Sequence, residues 1–407
     1  MKPAVRGWQP FELGYCSNVH PTGSIAGLDH VISGHVSPVA GLRRLEQSSA
    51  GLWLCSELAT LIDANADLLA SLRDRLIASG VRLQTLNGFP YQNFHQASVK
   101  ASVYRPDWSV DARLDYTLRL ARILAACMPD DLPEGTISTL PLGYAPDWSR
   151  AKQAAACVNL CRLVTGLRDL DQATGRHVRV CLEMEPGCVL ERTQEVVDFY
   201  TGELPEAGCE FGLTPGDIAS YLGICYDVCH QAVMHEAAAD SMSRICAAGI
   251  TVGKIQISSA LALNAPDDRE GRQLIQAYAE PRYLHQVRTL DENGRLHGVM
   301  DLPEALADSR FPVGSPWRIH FHVPVQAETL QGGMLATTRR DILDVLDFLK
   351  DNPACRPHLE VETYTWEVLP VDMRPQGPDE LNAGLAAELS WLQDQMRQRG
   401  LIREQAA

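Results

Sequence analysis

Along almost the whole chain, short runs of apolar and β-branched residues alternate with longer segments patterned as amphipathic helices. That alternation calls for repeated strand–helix units around a parallel sheet. Nine runs read as strands, near 11–16, 51–56, 81–86, 136–142, 177–185, 222–228, 252–258, 317–323 and 358–364. Helical patterns fall between them, over 58–79, 110–127, 150–171, 193–201, 235–248 and 337–350. The fold class expected is α/β, a (β/α)8 barrel read as one domain over 1–407, because such barrels commonly exceed about 250 residues as single units.

Nine strands are one too many for a plain eightfold barrel. The stretch 262–316 is charged and turn-rich, with NAPDDREG and a DENG sequence that favours a tight hairpin. It reads as an insertion in a strand-to-helix loop, on the face where barrel enzymes carry their catalytic parts. The strand at 317–323 then belongs to the insertion or lies as an extra element near the barrel mouth. The segment 379–404 has the pattern of a polar amphipathic helix closing the barrel. Neither an internal linker nor a repeat is visible.

Composition bounds the partners. The formal charge is −15, and the five lysines are scattered at 2, 100, 152, 254 and 350, which argues against nucleic acid and against anionic membrane surfaces. No 18-residue apolar span and no leader-like apolar core near the N-terminus is seen, so a cytoplasmic location without membrane insertion is expected. The 12 cysteines are evenly spread, several inside apolar runs such as Cys181 and Cys225. They read as buried free thiols rather than disulfides or a structural zinc site.

In a barrel strand alternate residues point inward, so polar residues at every second position deserve inspection. On 177–185 the inward set is Arg179, Cys181, Glu183 and Glu185; on 358–364 it is His358, Glu360, Glu362 and Tyr364. In 317–323, His320 and His322 alternate with Ile319, Phe321 and Val323. The run ending in YDVCH brings Asp227 and His230, and the next strand brings Lys254, Gln256 and Ser258. Carboxylates gathered inside a barrel repel one another and lose hydration, and a divalent cation is the simplest compensation. Glu183, Asp227, Gln256, His322 and Glu362 offer oxygen and imidazole ligands suited to Mn, Mg, Co or Zn. Parity alone leaves open which of Glu183 and Glu185, Glu360 and Glu362, or His320 and His322 reaches the centre. Tyr15, Asn18 and His20 follow the first strand, and Asn87 and Tyr144 follow the third and fourth, all placed to line the mouth or to form ordinary turns.

The order of a glutamate in CLEMEP, Asp-x-x-His in DVCH, a polar residue on the next strand and a glutamate in VETYTW resembles the xylose-isomerase-like barrel superfamily of sugar isomerases, epimerases and an endonuclease branch. More narrowly, GYCSNVHP, CLEMEPGC, YDVCH, KIQISSAL, RYLHQ, WRIHFHVPV and HLEVETYTWEVLP resemble the EboE family of metabolite traffic proteins over nearly the whole chain. The resemblance implies a metal-binding (β/α)8 barrel from an operon concerned with handling or exporting a metabolite, with other proteins of that operon as possible partners. By position it implies metal-ligand roles for Glu183, Asp227 and Glu362, and a substrate or second-metal role for His230. The chain departs from the sugar epimerases at Gln256, where they carry a histidine, and His320 or His322 is the candidate to replace it.

Three functions fit this reading. The first is a metal-dependent isomerase or epimerase of a small polyhydroxylated or hydroxycarbonyl metabolite. Glu183 and Glu362 would shuttle the proton, while Asn18, His20, Asn87, Glu185, His230, Lys254, His320 and Tyr364 contact the substrate. The second is a metal-dependent hydrolase of a small phosphoester. The third is a barrel that binds and hands on a metabolite without turning it over, which Gln256 in the ligand place favours.

Overall fold

A computed structural model describes residues 7–92, 95 and 98–403 of the chain. Eight parallel strands form the central sheet: Gly14–Tyr15, Ser48–Trp53, Val81–Asn87, Gly135–Thr139, Val178–Glu183, Leu222–Asp227, Val252–Ile257 and His358–Val361, called strands one to eight below. Strand one pairs with strand eight at one end of the order. A parallel bridge between Cys16 and Gly51 carries the ring round to strand two, so the barrel is nearly closed. The strands are shorter than their apolar runs, because Pro10–Glu12 already forms a helical turn and the chain bends away after Glu183 and Val361.

Outside the barrel, helices cover the strands through apolar stripes. Asp111–Cys127 buries Leu114, Leu120, Ile123 and Leu124, spaced to recur on one face. The pattern over 58–79 resolves into two helices, Ser56–Asp63 and Ala66–Ala78, split where the Asn65 side chain accepts from the amides of Asp67 and Leu68. The last helix, Pro378–Gln398, starts as expected but ends before 400, where Gly400 takes φ +72°. It packs against Ser37–Leu42 and strand one.

The ninth strand belongs to a second sheet, not to the barrel. Ala260–Leu263, Val287–Leu290, Leu296–Val299, Trp317–His322, Thr329–Leu330 and Leu335–Thr337 make a six-stranded antiparallel sheet between strand seven and the helix Arg339–Asp351. The insertion thus starts at Ala260 and reaches Thr337, taking in Trp317–His322. The DENG turn does close a hairpin, with Leu290 opposite Leu296 and Gly294 at φ +74°. Because Ala260 follows strand seven by only two residues, the sheet is rooted at the C-terminal mouth of the barrel. Among the described residues no helix is long and apolar enough to cross a membrane.

Candidate functional site

At the C-terminal ends of strands five, six and eight, oxygens of Glu183, Asp227 and Glu362 lie within 4.8 Å of one another, all three side chains buried. Asp227 is oriented by two donors on one oxygen, Ser258 Oγ at 2.8 Å and the His230 amide at 2.9 Å, leaving Oδ2 buried without a partner. Glu183 Oε2 is likewise unpartnered. Glu362 Oε1 accepts from Asn18 Nδ2 at 2.8 Å and Asn87 Nδ2 at 3.2 Å. Burial, opposed by His230 and reinforced by the Asp227 charge, pushes the Glu183 carboxyl up to about 7. Burial and the charges of Glu183 and Asp227 raise Glu362 well above the carboxylate range.

Two histidines from the inserted sheet close over this cage. His322 Nδ1 donates to the backbone carbonyl of Glu362 at 2.7 Å, and a carbonyl can only accept, so Nε2 holds a lone pair. That Nε2 is buried without a hydrogen-bond partner, 3.9 Å from Asp227 Oδ2. Burial draws His322 down to about 4, which keeps it neutral. A neutral ring fixed through one nitrogen with the other aimed at carboxylates has the disposition of a metal ligand. His322 thus brings a neutral imidazole from the insertion to the edge of the carboxylate group.

His230 and His320 form a second arrangement beside the first. His230 Nδ1 donates to the Met184 carbonyl at 2.7 Å, and His320 Nδ1 to Gln286 Oε1 at 2.8 Å. The Gln286 amide is oriented by its own donations to Tyr104 Oη and the Pro186 carbonyl. The two Nε2 atoms then face each other at 3.0 Å, so one proton sits between them. It rests on His230: burial disfavours its charge, but Asp227, Glu185 and Glu183 raise it, whereas burial and the His230 charge draw His320 well down. Glu185 lies past the end of strand five, accepts from Tyr104 Oη at 2.8 Å and is pushed up to about 7 by burial.

Other expected site residues take different places. Glu360 and Lys254 form an ion pair of 2.7 Å in the layer beneath the cage, both fully buried. Gln256 pairs in register with Asp227 on one side and Glu360 on the other, its amide oxygen and nitrogen both buried without hydrogen-bond partners. His20 turns to Tyr15 Oη at 2.9 Å and stacks on His35, away from the cleft. Asn18 and Asn87 hold Glu362, although Asn18 Oδ1 remains unpartnered. Cys229, read from sequence as packing, places its sulfur in a group with His320 and His322. Ser258, named on the seventh run without a role, orients Asp227. Tyr104, at the end of the helical turn Lys100–Tyr104, and Gln286, just ahead of an inserted strand, also orient site groups, and their spacing in the sequence carries no signal.

Above the cage opens a cleft. Glu183, Glu185, His230, His320 and Glu362 line its floor, and Tyr364, Tyr104 and Tyr283 are among its walls. The segment Lys100–Tyr104 roofs it by docking on the insertion, where the amides of Val99 and Lys100 both donate to the Arg282 carbonyl.

The architecture has counterparts among solved structures. A xylose isomerase domain protein from Planctomyces limnophilus superposes with TM-score 0.51 at 12% identity, covering 97% of this chain and 99% of the other. The fold is that of a xylose-isomerase-like barrel. A D-tagatose 3-epimerase-like protein (TM-score 0.46, 10% identity, 95% and 99% covered) and an IOLI protein with a binding zinc atom (0.44, 12%, 95% and 98%) lie further off. No family model and no curated protein matches the chain. At such identities the likeness concerns this barrel's fold alone.

Proposed function

We propose that this xylose-isomerase-like barrel is a metal-dependent isomerase or epimerase of a small hydroxycarbonyl compound. The observation that carries the reading is the buried cage of Glu183, Asp227 and Glu362 with unpartnered oxygens on Glu183 and Asp227 and a free His322 Nε2 aimed among them. Lys254 is committed to Glu360, and the single charge of His230 does not balance three close carboxylates, a deficit that a divalent Mn, Co, Mg or Zn ion would fill. Bound there by Glu183, Asp227, Glu362 and His322, with Gln256 on the adjoining strand, such an ion would polarise a substrate carbonyl.

The chain's own groups account for the proton. A carboxyl tuned to about 7, as Glu183 is, takes a proton from carbon and returns it near neutral pH without a large penalty either way. Glu362 arrives from strand eight, three places round the barrel from strand five, so the two can address different faces of one ligand. His230, with both ring nitrogens committed to the Met184 carbonyl and to His320, lends its charge to the site rather than a hydrogen bond. In epimerisation the proton leaves the carbon beside the carbonyl and another returns to its opposite face; in isomerisation it returns to the neighbouring carbon.

The test is deuterium incorporation at that carbon, by mass spectrometry in D2O, across a panel of ketoses and hydroxyketones with metal-supplemented protein. Incorporation that falls by at least about 10²-fold in Glu183→Gln supports the reading. No incorporation across the panel favours a barrel that binds and hands on its metabolite, for which Gln256 in the histidine position is the supporting observation. The narrower likeness to the EboE family, and association with other proteins of its operon, rest on the sequence motifs and belong to this proposal.

A further inference from the structure

The cleft presents two unlike chemistries. Its floor is the carboxylate and imidazole set described above. Its wall is Phe89, Val103, Tyr104, Tyr283, Leu284 and Tyr364. These side chains come from three separate parts of the chain, the loop after strand three, the insertion and the loop after strand eight. The aromatic rings stand in two edge-to-face pairs, Phe89 with Tyr104 at 6.2 Å and Tyr283 with Tyr364 at 5.1 Å.

Several polar groups along this wall are already engaged. Tyr104 Oη donates to Glu185 and accepts from Gln286. The amides of Val99 and Lys100 donate to the Arg282 carbonyl at 2.7 and 3.0 Å. Lys100 is the sole lysine or arginine among the described lining residues, and its Nζ pairs with Asp301 at 2.5 Å. A ligand with hydroxyls along its whole length would lose water against Val103, Leu284 and Phe89 with no hydrogen bond in return. A phosphate would meet no free cation there. A flat apolar group gains from the same surface, through area buried and ring–ring contact.

We propose that the ligand of this cleft is uncharged and carries an aryl or similarly flat apolar group beside its hydroxycarbonyl end, the ring lying against the aromatic wall and the oxygens over the carboxylate floor. The inference rests on the metal-centred reading for the orientation of the polar end; the ring's place rests on the wall.

Two probes share one head group. 2-Hydroxyacetophenone carries a phenyl ring on a hydroxycarbonyl, and dihydroxyacetone carries the hydroxycarbonyl without the ring. Their dissociation constants are measured by ligand-observed NMR on the full chain, with zinc supplied and again after chelation. The expected result is that the aryl probe binds at least about tenfold tighter. In Leu284→Asn and Val103→Asn, both at half-buried positions, that preference should collapse while zinc content and circular dichroism stay as in the parent. A ring preference that persists when no zinc is taken up upholds the wall and sinks the metal reading instead. Equal affinities, tighter binding of dihydroxyacetone, or binding of neither probe would overturn the proposal.

Discussion

His322 shows how one hydrogen bond sets chemistry: by donating through Nδ1 to the Glu362 carbonyl it leaves Nε2 as a lone pair facing Asp227. The carboxylates it faces carry a pH signature. Glu183 is held near 7, and Glu362 is raised well above the usual carboxylate range, mainly by burial, so protons must leave this pair for it to ligate. Zinc affinity should therefore rise as pH increases from 6 through 7 to 8, with proton release seen by calorimetry in buffers of different ionisation enthalpy; an affinity flat over that range would contradict the assignment. Beneath the cage, Lys254→Met strands the Glu360 charge and should cost about 3–5 kcal/mol in chemical denaturation, with much of it recovered when Glu360→Met is added. Gly51 makes room for that pair, since a Cβ there would lie 1.5 Å from Glu360 Oε1. Gly51→Ala should thus destabilise by about 1–3 kcal/mol. At this scale parity in the sequence was informative, because period two marks which side chains face inward. It could not separate Glu360 from Glu362, since depth within the barrel depends on where strand eight ends, and that is decided by its neighbours.

Among the elements, the inserted sheet matters most to the site. Its strand Trp317–His322 reads in sequence like a barrel strand, with the same alternation, and the local pattern holds no sign of whether its partners run parallel or antiparallel. What distinguishes it is the turn-rich stretch ahead of it, which is why the insertion was legible and its far boundary was not. The C-terminal helix also reaches into the site region. Glu388 lies fully buried and accepts from Val325 N at 3.0 Å, from Trp366 Nε1 at 3.1 Å and from Thr363 Oγ1 at 2.6 Å, tying the helix to the loop that carries Glu362. Burial pushes its carboxyl up to about 7 against those donors. Between about 4.5 and 7 the folded chain holds a proton there that the unfolded chain has lost, so this group's contribution to stability declines as pH rises through that window. Glu388→Gln should flatten that decline in urea titrations at pH 5 and pH 7.5; an unchanged pH dependence would show that Glu388 is not its source.

For the molecule as a whole, eight strands nearly closed into a ring bring residues from 18 to 362 into one buried site. The fold class was readable because repeated strand–helix alternation leaves few architectures open. Glu183, Asp227 and Glu362 were nameable because they sit at strand ends, and Tyr364 because it continues the same parity, whereas Tyr104, Gln286 and the rest of the aromatic wall come from segments whose paths only tertiary packing fixes. The central claim is that this barrel gathers its carboxylates, together with a histidine from the insertion, around a divalent ion. Elemental mass spectrometry of protein purified without chelator, on the parent beside Asp227→Ala and His322→Gln, tests it directly. Near one Mn, Co, Fe or Zn per parent chain is expected, lost in Asp227→Ala and reduced in His322→Gln. A parent that carries no metal and takes up neither Mn nor Zn when they are supplied would contradict it.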